Sequence, residues 1–127
     1  MIQTLLVFVG GGIGAAGRHG VNIAAARLLG SGFVWGTMIV NILGSFAMGL
    51  IVAWFAFKAD TGLPQHTRLF LTTGILGGFT TFSAFSLDAV LLWERGALAA
   101  AFAYAIVSVV VSIAGLFAGL ALVRSLA

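Results

Sequence analysis

Residues 72–86 read TTGILGGFTTFSAFS and lie in the middle of an otherwise apolar segment. Three glycines and four threonines fall within the ten residues 72–81. Each interior glycine costs a helix about 1 kcal/mol relative to alanine, so a continuous helix is not expected here. The stretch therefore predicts two half-helices that meet inside the segment, with the first ending between Gly77 and Thr80.

The rest of the chain has a composition suited to lipid. Of its 127 residues, 61% are hydrophobic and 7% are charged, whereas soluble domains carry about 25% charged residues. The length leaves no room for a separate catalytic domain, and an enzyme is not expected. The six basic residues are scattered singly and form no patch for nucleic acid, so no nucleic-acid partner is expected.

Four apolar segments are each long enough to cross a bilayer, which takes about 20 residues. Their ranges are 2–29, 33–57, 67–93 and 98–122. The predicted fold class is an all-α integral membrane protein with four transmembrane helices, the third one broken, in a single transmembrane domain of residues 1–127. Short connectors favour antiparallel neighbours, and the connector 58–66 contains the one proline, Pro64.

Basic residues near the ends of the segments give almost no orientation signal. One membrane face would hold Lys58, Arg68 and Arg124, and the other Arg27 and Arg95. A chain with so small a bias is expected to insert in both orientations. That behaviour would permit an antiparallel, dual-topology homodimer with its two-fold axis in the membrane plane.

Glycines in the first segment predict close helix packing. Gly10, Gly14 and Gly17 are spaced so that a neighbouring helix can approach the backbone. Residues 12–17 also fit the G-x-G-x-x-G pattern of dinucleotide sites. That pattern needs an acidic residue about 20 positions later, and the first acidic residue here is Asp60, so the nucleotide interpretation fails.

Arg18 interrupts the first apolar segment. An ionisable side chain in a membrane segment is costly unless it reaches water or a partner. Either it extends to the membrane interface, or it lines an aqueous vestibule where its positive potential concentrates anions. The residues alone leave both interpretations open.

Uncharged polar residues recur at helical spacing in the second and fourth segments. They form two stripes at i, i+4 and i+8, namely Thr37, Asn41 and Ser45, and Tyr104, Ser108 and Ser112. Residues at this spacing share one helical face. Each could simply bond a neighbouring helix. Together they also suit a polar track whose hydroxyl and amide donors replace part of an anion's hydration shell without trapping it.

The interrupted third segment offers two further kinds of group. Carbonyls at the end of a half-helix lack intrahelical partners, and in an antiparallel dimer two copies could hold Na⁺ between four of them. A glycine-mediated helix crossing explains the same glycines. Phe82 and Phe85 follow three residues apart. Their positive ring edges could meet a small anion in a pore, unless the rings face lipid or the core.

Taken together, these residues resemble the CrcB/Fluc family of fluoride channels. The resemblance covers essentially the whole chain and rests on GILGGFTTFSAFS at 74–86, GTMIVNILGSF at 36–46 and GGGIGAAGRH at 10–19. It implies an antiparallel dual-topology homodimer in the bacterial inner membrane, with two fluoride pores. It also implies one central structural Na⁺, held by the backbone carbonyls of Gly77 and Thr80.

The resemblance further assigns a role to each candidate site residue. The expected fluoride pore residues are Asn41, Thr81, Phe82, Ser83, Phe85, Ser86, Tyr104, Ser108 and Ser112. Arg18 matches the family's basic residue near the pore entrance, where it would line a vestibule. Ala84 stands where the family usually has threonine, which leaves a hydroxyl role at that position in doubt.

A passive pore suits the chemistry of fluoride. HF crosses membranes uncharged, ionises in a near-neutral cytoplasm and is trapped as F⁻. An interior-negative potential then expels the anion with about 2.3 kcal/mol per 100 mV. The chain is therefore predicted to be a fluoride-selective channel for passive export of cytoplasmic fluoride, which lowers its toxicity.

Two other functions fit the sequence less well than a channel. A proton-coupled small multidrug exporter of the four-span dual-topology type needs a membrane-embedded carboxylate, usually in the first span. The first segment has no acidic residue, and Asp88 and Glu94 lie late in the third segment. A purely structural membrane protein would explain the glycines but not the two polar stripes.

Overall fold

The computed structural model describes residues 1–57 and 65–126, and within them every regular element is helical. Lys58, Asp60 and Pro64, and most of the connector 58–66, lie outside the described residues. The elements are α1 (Ile2–Leu29), α2 (Trp35–Phe57), α3 (Gln65–Leu69), a π-helix (Phe70–Leu76), α4 (Gly77–Phe79), α5 (Ser83–Glu94) and α6 (Leu98–Leu126).

Three helical stretches are long and apolar enough to cross a membrane: Trp35–Phe57, Gln65–Glu94 and Leu98–Leu126. Many of their large apolar side chains are exposed, as expected when the surrounding solvent is lipid. An all-α membrane fold is therefore confirmed. In α1, which is not among the three, six of the 28 residues are glycine and Arg18 follows the apolar run. A fourth span stays a prediction.

The predicted interruption of the third helix is confirmed. α4 ends at Phe79, Thr80 is extended with φ −83° and ψ 160°, and α5 begins at Ser83. The Thr81 hydroxyl accepts a hydrogen bond of 3.1 Å from the Ala84 N–H, which caps one of the free donors at the start of α5. Residues 80–82, called the break below, separate the two half-helices.

α1 lies directly against the π-helix and α4, backbone against backbone. A Cβ on Gly14 would overlap the carbonyl oxygen of Ile75, and a Cβ on Gly78 would overlap that of Gly11. A Cβ on Gly10 would come within 2.9 Å of the Gly74 Cα. Only glycine permits this approach, so the close packing predicted from the glycine spacing is confirmed at Gly10 and Gly14.

α6 packs along α2 and completes the core beside the break. Glycines bring these two helices together as well, since a Cβ on Gly119 would overlap the carbonyl oxygen of Phe46. The buried cluster beside them consists of Met38, Leu92, Ala101 and Tyr104. The pairing of α2 with α6 places two residues of each polar stripe beside the break, namely Asn41 and Ser45 of α2 and Ser108 and Ser112 of α6.

Candidate functional site

Asn41 on α2 binds the backbone of the break. Its side-chain nitrogen donates to the Thr81 carbonyl over 3.0 Å, and its side-chain oxygen accepts from the Thr81 N–H over 2.8 Å. Because Thr80 is extended, the Thr81 N–H and carbonyl make no intrahelical hydrogen bonds, and a side chain must satisfy them. An amide is the side chain that offers a donor and an acceptor side by side.

Arg18 on α1 binds the end of α4, just before the break. Its Nε donates to the carbonyl oxygen of Gly78, one residue before the end of α4, over 3.2 Å. The side chain is half-buried. The vestibule role expected for Arg18 stays a prediction, and its partner in the described residues is a backbone carbonyl.

Among the described residues, three carbonyls around the break accept no hydrogen bond, those of Gly77, Phe79 and Thr80. Thr80 donates to the Leu76 carbonyl through both its N–H (3.0 Å) and its hydroxyl (2.9 Å). Within the described residues, no protein donor bonds the carbonyl oxygens of Gly77 and Thr80. These are the two oxygens that the family resemblance assigns to Na⁺.

A groove of about 430 Å³ runs alongside the break. Helices α2, α4, α5 and α6, together with the break, contribute its walls, and no charged side chain of the described residues lines it. The lining residues are Asn41, Ser45, Gly77, Thr80, Thr81, Phe82, Phe85, Ser108, Val109, Ser112 and Ile113. Six of the nine predicted pore residues thus line one groove. Gly77 and Thr80, whose carbonyls are the predicted Na⁺ ligands, line it as well.

Two hydroxyls of α6 are buried in this groove without a hydrogen bond. Ser108 is 3% exposed, and neither its oxygen nor that of Ser112 has a partner among the described residues. Nearly all buried polar side chains in proteins are hydrogen-bonded. Two such hydroxyls side by side in one groove are therefore available to bind a ligand.

The two predicted pore phenylalanines occupy different environments. Phe82 is 77% exposed in the single chain, whereas Phe85 is half-buried beside Tyr104. The ring centroids of Phe82 and Phe85 lie 5.7 Å apart, and those of Phe85 and Tyr104 lie 5.2 Å apart. The three rings form a continuous row from the groove into the core.

Tyr104 does not line the groove, although it shares a helical face with Ser108. It is fully buried, and its hydroxyl donates to Asp88 Oδ2 over 3.2 Å. Asp88 and Thr37 line a second cavity of about 280 Å³. Sequence reasoning did not include Asp88 in the site, and its only signal was an acidic residue within an apolar helix.

Ser83 and Ser86 also lie outside the groove lining. The Ser83 hydroxyl is exposed, with its oxygen 3.4 Å from the Thr81 hydroxyl oxygen. The Ser86 hydroxyl donates to the carbonyl of Phe82, one turn earlier, over 2.9 Å. Both hydroxyls bond locally within this chain.

Comparison with known proteins gives one consistent result. Residues 5–120 match the family model described as "CrcB-like protein, Camphor Resistance (CrcB)". A fluoride-specific ion channel FluC of Methylobacterium nodulans is 64% identical over 124 residues, which cover 98% of both chains. One of Rhodopseudomonas palustris is 59% identical over 122 residues, with 96% of this chain and 97% of the relative covered. One of Mesorhizobium japonicum is 58% identical over 126 residues, covering 99% of each.

Proposed function

The chain belongs to the CrcB-like family, and from that premise we propose that it is a fluoride-selective channel rather than an enzyme or a coupled exporter. Close relatives over almost the full length carry the name fluoride-specific ion channel. The observation that carries the proposal is the groove beside the break, with its uncharged donors and aromatic rings. The channel would allow passive export of cytoplasmic fluoride.

The chemistry of the groove fits a small, strongly hydrated anion. Fluoride must lose much of its water to enter a narrow pore, and the free hydroxyls of Ser108 and Ser112 can replace part of that water. The edges of aromatic rings carry partial positive charge and can contribute at Phe82 and Phe85. Because no charged side chain of residues 1–57 and 65–126 lines the groove, the anion would not be held too tightly to leave.

Asn41 would have two tasks in this groove. Its oxygen and one N–H are used on Thr81, which leaves the second N–H of the amide for a ligand. A carboxylate at this position would lose both donors and add a negative charge. An aspartate there would therefore release the Thr81 carbonyl and repel fluoride.

The proposed assembly is an antiparallel homodimer of four-span subunits, with α1 as the fourth span, in a bacterial inner membrane. Dual topology is supported by the near balance of basic residues, three on one face (Lys58, Arg68 and Arg124) against two on the other (Arg27 and Arg95). Phe82 supports a partner, because a ring 77% exposed at the groove is available for contact with a second copy. Two copies would give two grooves.

A structural Na⁺ at the dimer axis is part of the same proposal. No three His, Asp or Glu side chains cluster within residues 1–57 and 65–126, so a cation at the break would depend on backbone oxygens. The carbonyls of Gly77 and Thr80 suit this, since unwound helix carbonyls are the Na⁺ ligands of many membrane proteins. Two from each copy would give four oxygens.

Fluoride efflux from proteoliposomes under a potassium-set potential tests the function. We expect the wild-type protein to release fluoride rapidly and chloride hardly at all. Phe82→Ile and Asn41→Asp should reduce fluoride efflux by at least about tenfold, the effect of losing about 1.4 kcal/mol of interaction along the path. Equal passage of chloride and fluoride would refute the selectivity.

Phe117→Ile is the matched control for Phe82→Ile. Phe117 is also strongly exposed, at 66%, and lies nine residues from Ser108, on the opposite face of α6. The same loss of a ring there should leave fluoride efflux unchanged. A similar fall in both variants would show that loss of an exposed ring, rather than the groove, explains the effect.

A further inference from the structure

Arg18 makes a contact that an anion-attracting vestibule does not require. Its Nε–H points at the Gly78 carbonyl, close to the end of α4, where the helix dipole places partial negative charge. A hydrogen bond from a charged donor to such a carbonyl is about twice as strong as a neutral one. Arg18 is thus suited to fix a backbone group.

The packing around α1 holds the base of Arg18 in place. Gly14, one turn earlier, lies against the backbone of Ile75 and Phe79, and a Cβ on Gly17 would sit 3.5 Å from the Phe79 ring. The backbone contact at Gly14 therefore fixes where the Arg18 Cα lies relative to α4.

The chain is consequently held by side chains at two places, just before the break and inside it. Arg18 from α1 holds the Gly78 carbonyl, and Asn41 from α2 holds both backbone groups of Thr81. The Thr80 carbonyl shares its peptide plane with the Thr81 N–H that Asn41 binds. The Gly77 carbonyl lies in the peptide plane next to the one that carries the Gly78 carbonyl, and the two planes join at the Gly78 Cα.

We infer that Arg18 is a positioning residue: by holding the Gly78 carbonyl it restricts the adjoining peptide that carries the Gly77 carbonyl and, together with Asn41, maintains the shape of the groove. The inference rests on the proposed function for its transport readout. The positioning role and the vestibule role require different properties of the Arg18 side chain. Positioning needs a donor at the place of Nε, and a vestibule needs a positive charge.

Two substitutions separate these requirements. In Arg18→Gln the side-chain nitrogen is the same number of bonds from Cα as Nε, so the donor stays and the charge is lost. In Arg18→Lys the charge stays, but the nitrogen lies one bond further out and cannot replace Nε without displacing the chain. Arg18→Met keeps similar length without donor or charge.

Fluoride efflux from proteoliposomes of the full chain gives the first readout. Arg18→Gln should stay within about threefold of wild type, while Arg18→Lys and Arg18→Met fall by about tenfold or more, because an unmet backbone carbonyl is left behind. Arg27→Lys is the control, since Arg27 is an exposed arginine of the same helix and lysine keeps the charge that counts toward the orientation of the chain. It should transport as wild type.

Amide hydrogen exchange of the segment 77–86 gives a second readout that does not involve fluoride. Arg18→Gln should protect the Thr81 amide as well as wild type does, and Arg18→Lys should increase its exchange. Higher activity and protection in Arg18→Lys than in Arg18→Gln, or equal values in the two, would overturn the inference. Wild-type liposomes that do not pass fluoride would instead refute the proposed function, with the exchange result still standing.

Discussion

The hydroxyls of Ser108 and Ser112 are buried, and neither has a hydrogen-bond partner in the part of the chain that the structure describes. Removing one partner of a buried hydrogen bond is costly, but a hydroxyl that has no partner contributes no such bond to stability. Two such hydroxyls in one groove therefore lower the stability of the folded chain. An anion that passes the groove would give these hydroxyls an acceptor.

Ser108→Ala and Ser112→Ala are expected to separate stability from transport. Unfolding in detergent should show each variant as stable as wild type or up to about 1 kcal/mol more stable, because a buried polar group without a partner is removed. Fluoride efflux should fall severalfold. Ser125→Ala is the control, since the exposed Ser125 hydroxyl donates to the Leu122 carbonyl outside the groove. Loss of stability without loss of efflux would contradict the role assigned to the hydroxyls.

The sequence indicates which residues are polar, and the fold decides what each one meets. The stripe through Asn41 and Ser45 was visible from spacing alone, and both residues line the groove. The two hydrogen bonds between Asn41 and Thr81 join residues 40 positions apart and could not be predicted from spacing. Tyr104 follows the same periodicity as Ser108, yet it turns to Asp88.

At the level of elements, α1 and the half-helix before the break form a contact between backbones. Gly10, Gly14 and Gly78 allow it, and side chains at these places would push the two elements apart. Such contacts are the main means of helix association in lipid, where burial of apolar surface gives little driving force. The position of the break therefore depends on α1.

Gly14→Ala and Gly12→Ala test this contact as a pair on the same helix. A Cβ on Gly14 would overlap the Ile75 carbonyl oxygen, so the free energy of unfolding in detergent should fall by about 2 kcal/mol. A Cβ on Gly12 would meet no atom of the described residues within 4 Å, and alanine there should stabilise the helix by up to about 1 kcal/mol. Equal effects of the two changes would argue against backbone contact at Gly14.

The break and the π-helix differ in how far the sequence predicts them. Glycine and threonine density locates the break because both features weaken a helix locally. The π-helix Phe70–Leu76 was not predicted. It contains Gly74 and faces Gly10, so it lies where α1 approaches most closely, and local propensity carries no signal for such a contact.

For the whole molecule, dual topology can be tested in cells because the chain contains no cysteine. Ser125→Cys would provide one thiol at an exposed position near the end of α6. A membrane-impermeant maleimide added outside should label about half of the protein, as expected for a chain with almost balanced basic residues. Labelling of nearly all or nearly none of the protein would show a single orientation and contradict the antiparallel dimer.

The most direct test of the central claim is the reversal potential of the wild-type protein in a planar bilayer. Fluoride, chloride and proton gradients would be imposed one at a time across the same membrane. If uncharged hydroxyl, amide and ring groups select fluoride in a passive pore, the reversal potential will follow the fluoride gradient alone. A reversal potential that follows the chloride gradient, or fluoride movement that needs the proton gradient, would contradict the account.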